Sequence, residues 1–264
     1  MDFPSGDLIY ARRSKLHTIE VSQNQELRLL RTDQRAIQSA LSLMHPQQLE
    51  LPYMKAMMAG LLFQAPPRSV LLLGLGGGDL VRYLHHYLPE TLVNAVEIDS
   101  VMVEIAREYF ALPESDRIEI VVDDAMHFLI HGTRRYEMML VDIYSGKEVP
   151  ELLRNSTFYE LCYNSLEQNG MLALNLLTSD AETFKHILWL IRQRFDRSTL
   201  CLTIPDHVNI IVFAFKQRPA ELTLPALSKK ATQINLTFEM NFTEWVQQLF
   251  STNPTVGGKL IFEM

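Results

Sequence analysis

Gly74-Leu75-Gly76-Gly77-Gly78-Asp79 is the stretch on which the fold turns. Ser69-Val70-Leu71-Leu72-Leu73 runs into it, a short apolar segment with the length and composition of a buried strand. Leu80, Val81, Leu84 and Leu88 follow at helical spacing. Glycines between a strand and a helix let the chain turn tightly and let a ligand approach bare backbone. A lone glycine loop is weak evidence, so its surroundings decide how it is read.

Outward from the loop, strand and helix patterns alternate. Strands are expected at 69–74, 91–98, 117–122, 136–143, 170–177, 198–204 and 208–215. Helices are expected at 80–88, 101–110, 125–130, 157–166 and 181–195. Strands that are apolar throughout are covered on both faces, and their alternation with helices implies right-handed crossovers. The expected fold is α/β: a Rossmann-like, mostly parallel seven-stranded sheet flanked by helices, spanning residues 66–216. Before it, residues 1–65 form a small N-terminal β-rich region. Two strands of a hairpin are expected within 15–31, then a methionine-rich helix at 51–63 that Pro66-Pro67 ends. After it, residues 217–264 are a C-terminal appendage with weak helical patterns at 226–232 and 243–250, covering one side of the sheet.

In an open parallel sheet, ligands bind at the carboxyl ends of the strands, where the loop sits. A dinucleotide fingerprint GxGxxG would need glycine at position 79, and the chain has Asp79. A carboxylate there repels a pyrophosphate and attracts an ammonium group, which favours a nucleoside with an aminoalkyl tail. The second strand ends in Ala95-Val96-Glu97-Ile98-Asp99, where Glu97 can accept both ribose hydroxyls. The third ends at Asp123-Asp124-Ala125, where Asp124 can accept from an adenine amino group or cap a helix. The fourth ends at Val141-Asp142-Ile143-Tyr144. Asp99 reads as a helix cap. Polar groups on one rim of one sheet point to a single adenosyl ligand, of the S-adenosylmethionine type.

With these residues the sequence resembles the spermidine synthase family, the polyamine aminopropyltransferases, a divergent branch of the class I S-adenosylmethionine-dependent methyltransferase superfamily. The resemblance rests on Gly76-Gly77-Gly78-Asp79, Val96-Glu97-Ile98-Asp99, Asp124-Ala125 and Asp142, the first acid of a DxxD segment. Flanking text agrees at Arg117-Ile118-Glu119-Ile120, Phe158-Tyr159 and Gln168-Asn169-Gly170. It implies that decarboxylated S-adenosylmethionine donates an aminopropyl group to an amine, with no prosthetic group. The nucleoside site would comprise Gly74, Gly76, Gly77, Gly78, Asp79, Glu97, Ile98, Asp124 and Ala125. Asp142 would take the proton from the attacking amine, and Tyr53, Tyr144 and Gln38 would border the acceptor. The resemblance also implies a homodimer built through the N-terminal region.

Several positions depart from the family pattern. The second acid of the DxxD segment is Ser145, the Tyr-His-Glu segment reads Tyr53-Met54-Lys55, and Leu80 replaces a glycine after Asp79. A dicationic acceptor needs carboxylates to replace its water, and this pocket offers fewer. Two other readings therefore stay open: a methyltransferase using intact S-adenosylmethionine on a small molecule, and a nucleoside-binding protein without catalysis.

The bulk properties bound the rest. A formal net charge of -7 argues against nucleic acid as main partner. Cys162 and Cys201 lie in apolar runs without CxxC spacing, so reduced, buried thiols are expected and a zinc site is not. His85-His86 point apart on a helix, and His127 and His131 lack a third ligand, so no metal is expected. The N-terminus has no basic start or apolar core of a signal peptide, and no apolar run reaches membrane-spanning length. A cytoplasmic enzyme acting on small molecules is the expectation.

Overall fold

The structure, a computed structural model, describes residues 6–33, 36–144 and 149–262. Four strands come first: β1 (Asp7–Arg13), β2 (Thr18–Gln23), β3 (Leu27–Thr32) and β4 (Ala36–Ser42) form an antiparallel sheet in the order β1-β2-β3-β4. The hairpin read at 15–31 is β2 and β3. The two outer strands were not legible. β1 is exposed along nearly its whole length, and β4 mixes Ile37, Ala40 and Leu41 with Gln38 and Ser39 without a regular alternation. The helix read at 51–63 splits into α1 (Pro52–Met57) and a 3₁₀ turn (Met58–Leu62). A Cβ on Gly60 in that turn would lie 2.9 Å from Met171 Cε, so the tight turn runs directly over the sheet.

The alternation read between residues 69 and 215 is present throughout. In chain order the elements are β5 (Ser69–Leu73), α2 (Asp79–Tyr87), β6 (Leu92–Glu97), α3 (Ser100–Tyr109), β7 (Ile118–Val122), α4 (Ala125–His131), β8 (Tyr136–Val141), α5 (Ser156–Asn164), β9 (Leu166–Leu177), α6 (Ala181–Arg194), β10 (Thr199–Thr203) and β11 (Asn209–Phe215). The seven strands lie in the order β10-β11-β9-β8-β5-β6-β7. β5 to β9 run parallel, and β11 is antiparallel to both β9 and β10. The chain builds outward from β5 through β6 to β7, then crosses back to place β8 on the other side of β5. The topological switch point, where open sheets bind ligands, therefore falls between β5 and β8.

Apolar strands with helices on both faces give two cores. One face buries Val70, Leu72 and Leu140 against α1, α2 and the C-terminal helices. The other buries Leu71, Met139 and Leu172 against α5 and α6. Each such side chain contributes about 1.5–3 kcal/mol when fully withdrawn from water. Cys162 lies in the second core, whereas Cys201 on β10 is half-buried.

The C-terminal appendage holds α7 (Leu224–Asn235), α8 (Phe242–Thr252) and a short hairpin, β12 (Thr255–Val256) with β13 (Lys259–Leu260). Trp245, Val246 and Leu249 carry α8 into the first core. Beyond α8, Asn253 faces the backbone of edge strand β10. Cys201 N donates to Asn253 Oδ1 at 2.8 Å, and Asn253 Nδ2 donates to Cys201 O at 2.6 Å. Among the described residues, no helix is long and apolar enough to cross a membrane.

Candidate functional site

The strand ends fall in register. Gly74 N donates to Val96 O, Asp123 N to Glu97 O and Asp142 N to Leu73 O, at 2.8–3.0 Å. The residue that leaves each strand is thus presented to one rim. Gly74 has φ 93°, and a Cβ on it would lie 2.2 Å from the Asp142 carbonyl oxygen. Only glycine permits this approach of β5 to the end of β8.

Above the rim lies a cavity of about 420 Å³. Gly74, Gly76, Glu97, Ile98, Asp124, Ala125, Asp142, Tyr144 and Gln38, all read from the sequence, line it. Gly77, Gly78, Asp79 and Tyr53 are not part of its wall. Gly77 and Gly78 carry the turn beneath it: Gly77 N donates to the Ser39 hydroxyl at 2.6 Å, and Gly78 caps α2 at φ 78°.

Glu97 is half-buried and fixed by its neighbours. Leu75 N donates to its Oε2 at 2.9 Å and Asp99 N to its Oε1 at 3.0 Å. Burial raises its carboxyl above the ordinary range, and the backbone donors at Asp99 and Leu75 oppose that rise. Asp99 caps α3, accepting from Val101 N at 3.0 Å, as its position suggested. Asp124 also caps a helix, α4, through His127 N at 3.0 Å, while still facing the cavity. The cap residue therefore also lines the cavity.

Asp142 is held from two sides. Asn175 Nδ2 donates to its Oδ1 at 2.8 Å and the Tyr53 hydroxyl to its Oδ2 at 3.2 Å. Asn209 Nδ2 donates in turn to Asn175 Oδ1 at 2.9 Å. Burial raises the Asp142 carboxyl to about 6; Asn175 and Tyr53 pull it down, while the charges of Asp79 and Glu97 push it up. A half-buried carboxyl raised to about 6 is suited to taking a proton. Burial and the Asp142 charge hold the Tyr53 hydroxyl far above the ordinary phenol range, so it remains a donor.

Asp79 is buried in an ion pair that its sequence context did not announce. Arg82 donates to its Oδ1 at 2.7 Å and also to the carbonyls of Gly77, Phe110 and Pro46. Asp79 Oδ2 is buried without a hydrogen-bond partner among the described residues. Half of this carboxylate is thus neutralised, and the other half is the group an ammonium would satisfy.

Residues outside the sequence reading complete the wall. Leu16 and His17 of the β1–β2 connection and Thr32 of β3 reach over the cavity, and Met102 and Leu152 add apolar surface. The Thr32 hydroxyl is buried and has no hydrogen-bond partner among the described residues. His17 is fixed by Asp33, Nδ1 to Oδ2 at 2.9 Å. Their signal was hidden, because only the folded four-stranded sheet brings positions 16–32 to the strand ends of the larger sheet. Asn175 and Asn209 were hidden likewise: one lies within β9 and the other opens β11, and their meeting depends on sheet order.

A second cavity of about 570 Å³ shares the Ile143, Tyr144 and Pro150 wall and extends past Asn175 to Thr178, Asp180 and Arg154. Lys55 is half-buried and lines neither cavity. Ser145, the position of the missing second acid, lies outside the described residues. Among the described residues, no three acids, histidines or cysteines cluster as metal ligands. His127 and His131 engage Asp123 and the His127 carbonyl instead.

Comparison with known proteins adds to this geometry. Residues 50–224 match the family model described as spermine/spermidine synthase domain. A polyamine aminopropyltransferase from Chromobacterium violaceum is 31% identical over 244 residues, covering 92% of this chain and 93% of its own. The fold superposes on a probable spermidine synthase from Corynebacterium glutamicum with TM-score 0.74 at 21% identity, covering 99% of this chain and 98% of that one. It also matches human methyltransferase-like protein 13 in complex with SAH, with TM-score 0.67 at 26% identity, covering 72% of this chain and 93% of that one.

Proposed function

This chain belongs to the spermine/spermidine synthase family and is a transferase, and from that premise we propose that it moves an aminopropyl group from decarboxylated S-adenosylmethionine to an amine. The observation that carries this reading is the pairing of Glu97 and Asp142 across one cavity at the switch point, one carboxylate for a ribose and the other for a proton.

In this reading Glu97 accepts from the ribose hydroxyls, Asp124 from the adenine amino group, and Ile98 and Ala125 give the base its apolar bed. Asp79 stands behind the cavity wall, where its charge, felt also at Asp142, draws the aminopropyl ammonium of the donor. The sulfonium then lies among Asp142, Glu97 and Asp79, whose negative field favours it. An acceptor amine is protonated at neutral pH and becomes nucleophilic only when it loses a proton. Asp142, near 6, takes that proton or holds the neutral amine by its remaining N–H. The nitrogen lone pair attacks the propyl carbon bonded to sulfur, the C–S bond breaks, and its electron pair returns to sulfur as methylthioadenosine leaves. A sulfonium needs no acid to depart, so in-line positioning supplies most of the acceleration. The acceptor enters from the second cavity, along Tyr144 and Asn175.

The whole-length likeness to an aminopropyltransferase, N-terminal sheet included, supports this reading over methyl transfer. The test is a product assay with decarboxylated and intact S-adenosylmethionine, each against putrescine, cadaverine and spermidine. Methylthioadenosine together with an aminopropylated amine supports it. S-adenosylhomocysteine from the intact donor would replace it with methyl transfer, and binding without any product would replace it with a nucleoside-binding role.

A further inference from the structure

We propose that Asn175, itself held by Asn209, is a positioning residue that fixes which oxygen of Asp142 faces the acceptor amine and keeps that carboxyl ionised. The inference rests on the aminopropyl-transfer reading only in naming Asp142 as the proton acceptor.

The geometry spans three strands. β8 and β9 run parallel with Val141 opposite Leu174, so Asp142 leaves β8 beside Asn175. β11 runs antiparallel with Ile211 opposite Asn175, which puts Asn209 two residues along on the same face, a diagonal neighbour. Asn209 donates to Asn175 Oδ1 at 2.9 Å, and Asn175 Nδ2 donates to Asp142 Oδ1 at 2.8 Å. A carboxamide has a donor end and an acceptor end, whereas an ionised carboxylate only accepts. Turning Asn175 over would set oxygen against oxygen at Asp142 and two donors against each other at Asn209. Asn209, buried on β11, therefore sets the direction of the Asn175 amide.

The consequence falls on Asp142. Its Oδ1 is committed to Asn175. Among the described residues its Oδ2 meets the longer, 3.2 Å contact from Tyr53, and is the oxygen left for an incoming N–H. The charged neighbours, Asp79 from α2 and Glu97 from β6, oppose ionisation, as does burial. The two groups that favour the carboxylate, Asn175 from β9 and Tyr53 from α1, are both neutral donors. A lysine or arginine in either place would also hold the carboxylate, but would cancel the negative field that draws a sulfonium and an amine. Neutral donors stabilise the charge and leave it acting on the substrates.

The test compares wild type with Asn175→Leu and Asn209→Leu. The Asp142 carboxyl is followed by carbon NMR of aspartate-labelled protein, its resonance assigned by its loss in Asp142→Asn. In parallel, kcat/KM is measured against pH with decarboxylated S-adenosylmethionine and putrescine. Asn175→Leu should raise the Asp142 midpoint by about one pH unit and move the acid limb of kcat/KM by the same amount. Activity is then lost about tenfold below neutrality and recovers in alkali. Asn209→Leu, farther from the carboxylate, should move both in the same direction by less, with methylthioadenosine binding retained in both variants. A midpoint that stays in place in both folded variants, or a loss equal at every pH, overturns the positioning role. A shifted midpoint with no aminopropyl transfer in wild type to any amine overturns the functional reading and leaves the Asn209–Asn175–Asp142 relay standing.

Discussion

The Tyr53 hydroxyl lies 3.2 Å from Asp142 Oδ2, joining the first helix of the chain to the end of the fourth strand of the central sheet. α1 rests on β9 and β11, so Tyr53 is held over the switch point by packing as well as by its hydrogen bond. Tyr53→Phe removes one of the two donors that favour the Asp142 carboxylate. The acid limb of kcat/KM should move to higher pH by a fraction of a unit, with little change above pH 8. A pH–rate profile checks this.

Asp142→Asn removes the proton acceptor but keeps the shape of the site. Turnover should fall by about 10²–10⁴-fold, the usual worth of a positioned base. Methylthioadenosine affinity by calorimetry should stay within a few-fold.

The same substitution should stabilise the protein. The carboxyl titrates near 3.8 in the unfolded chain and about 6 in the folded one, so the folded state binds the proton more tightly between those values. Stability therefore falls as pH rises through that window and stays lower above it. Asp142→Asn lifts that penalty. Its Tm should exceed that of wild type at pH 8, and the gap should close as pH approaches 4.

Glu97→Ala leaves the Leu75 and Asp99 amides without their acceptor and removes the ribose contact of the proposed site. Hydrogen bonds to a charged group are worth about 1.5–3 kcal/mol. Nucleoside affinity should weaken roughly ten- to hundredfold in titration calorimetry with methylthioadenosine. Unchanged affinity would move the nucleoside out of this cavity.

Gly74→Ala tests the join between β5 and β8. Its Cβ would sit 2.2 Å from the Asp142 carbonyl oxygen, on a backbone already at φ 93°. The strands must part to admit it, at a cost of about 1–3 kcal/mol for the overpacking alone. Thermal unfolding should show a lower Tm, and turnover should fall with it because the displaced atom belongs to Asp142.

The central sheet was legible because its strands are apolar throughout and its helices carry period-3.6 patterns. Each strand and helix read between 69 and 215 is found, with boundaries shifted by a few residues. The rim was legible for a local reason: Gly74, Glu97, Asp124 and Asp142 each terminate a strand, and strand ends can be counted along the chain. What depends on sheet order was not. Nothing near position 175 or 209 marks either asparagine, because they meet only when β11 inserts beside β9 in the reverse direction. The ion pair of Asp79 with Arg82 is sequence-local at i,i+3, yet its burial is a property of the packed loop. The outer N-terminal strands were missed because neither β1, which is exposed, nor β4, whose buried residues fall side by side at Ser39, Ala40 and Leu41, carries a regular apolar alternation.

Asn253 has a bearing on how molecules of this chain meet one another. Its carboxamide answers both the N–H and the C=O of Cys201, so it serves as a one-residue surrogate strand at the margin of the sheet. Unsatisfied margins of this kind recruit further chains and seed fibres. Here the N–H and C=O of Cys201, midway along β10, are occupied by a side chain that cannot itself be extended.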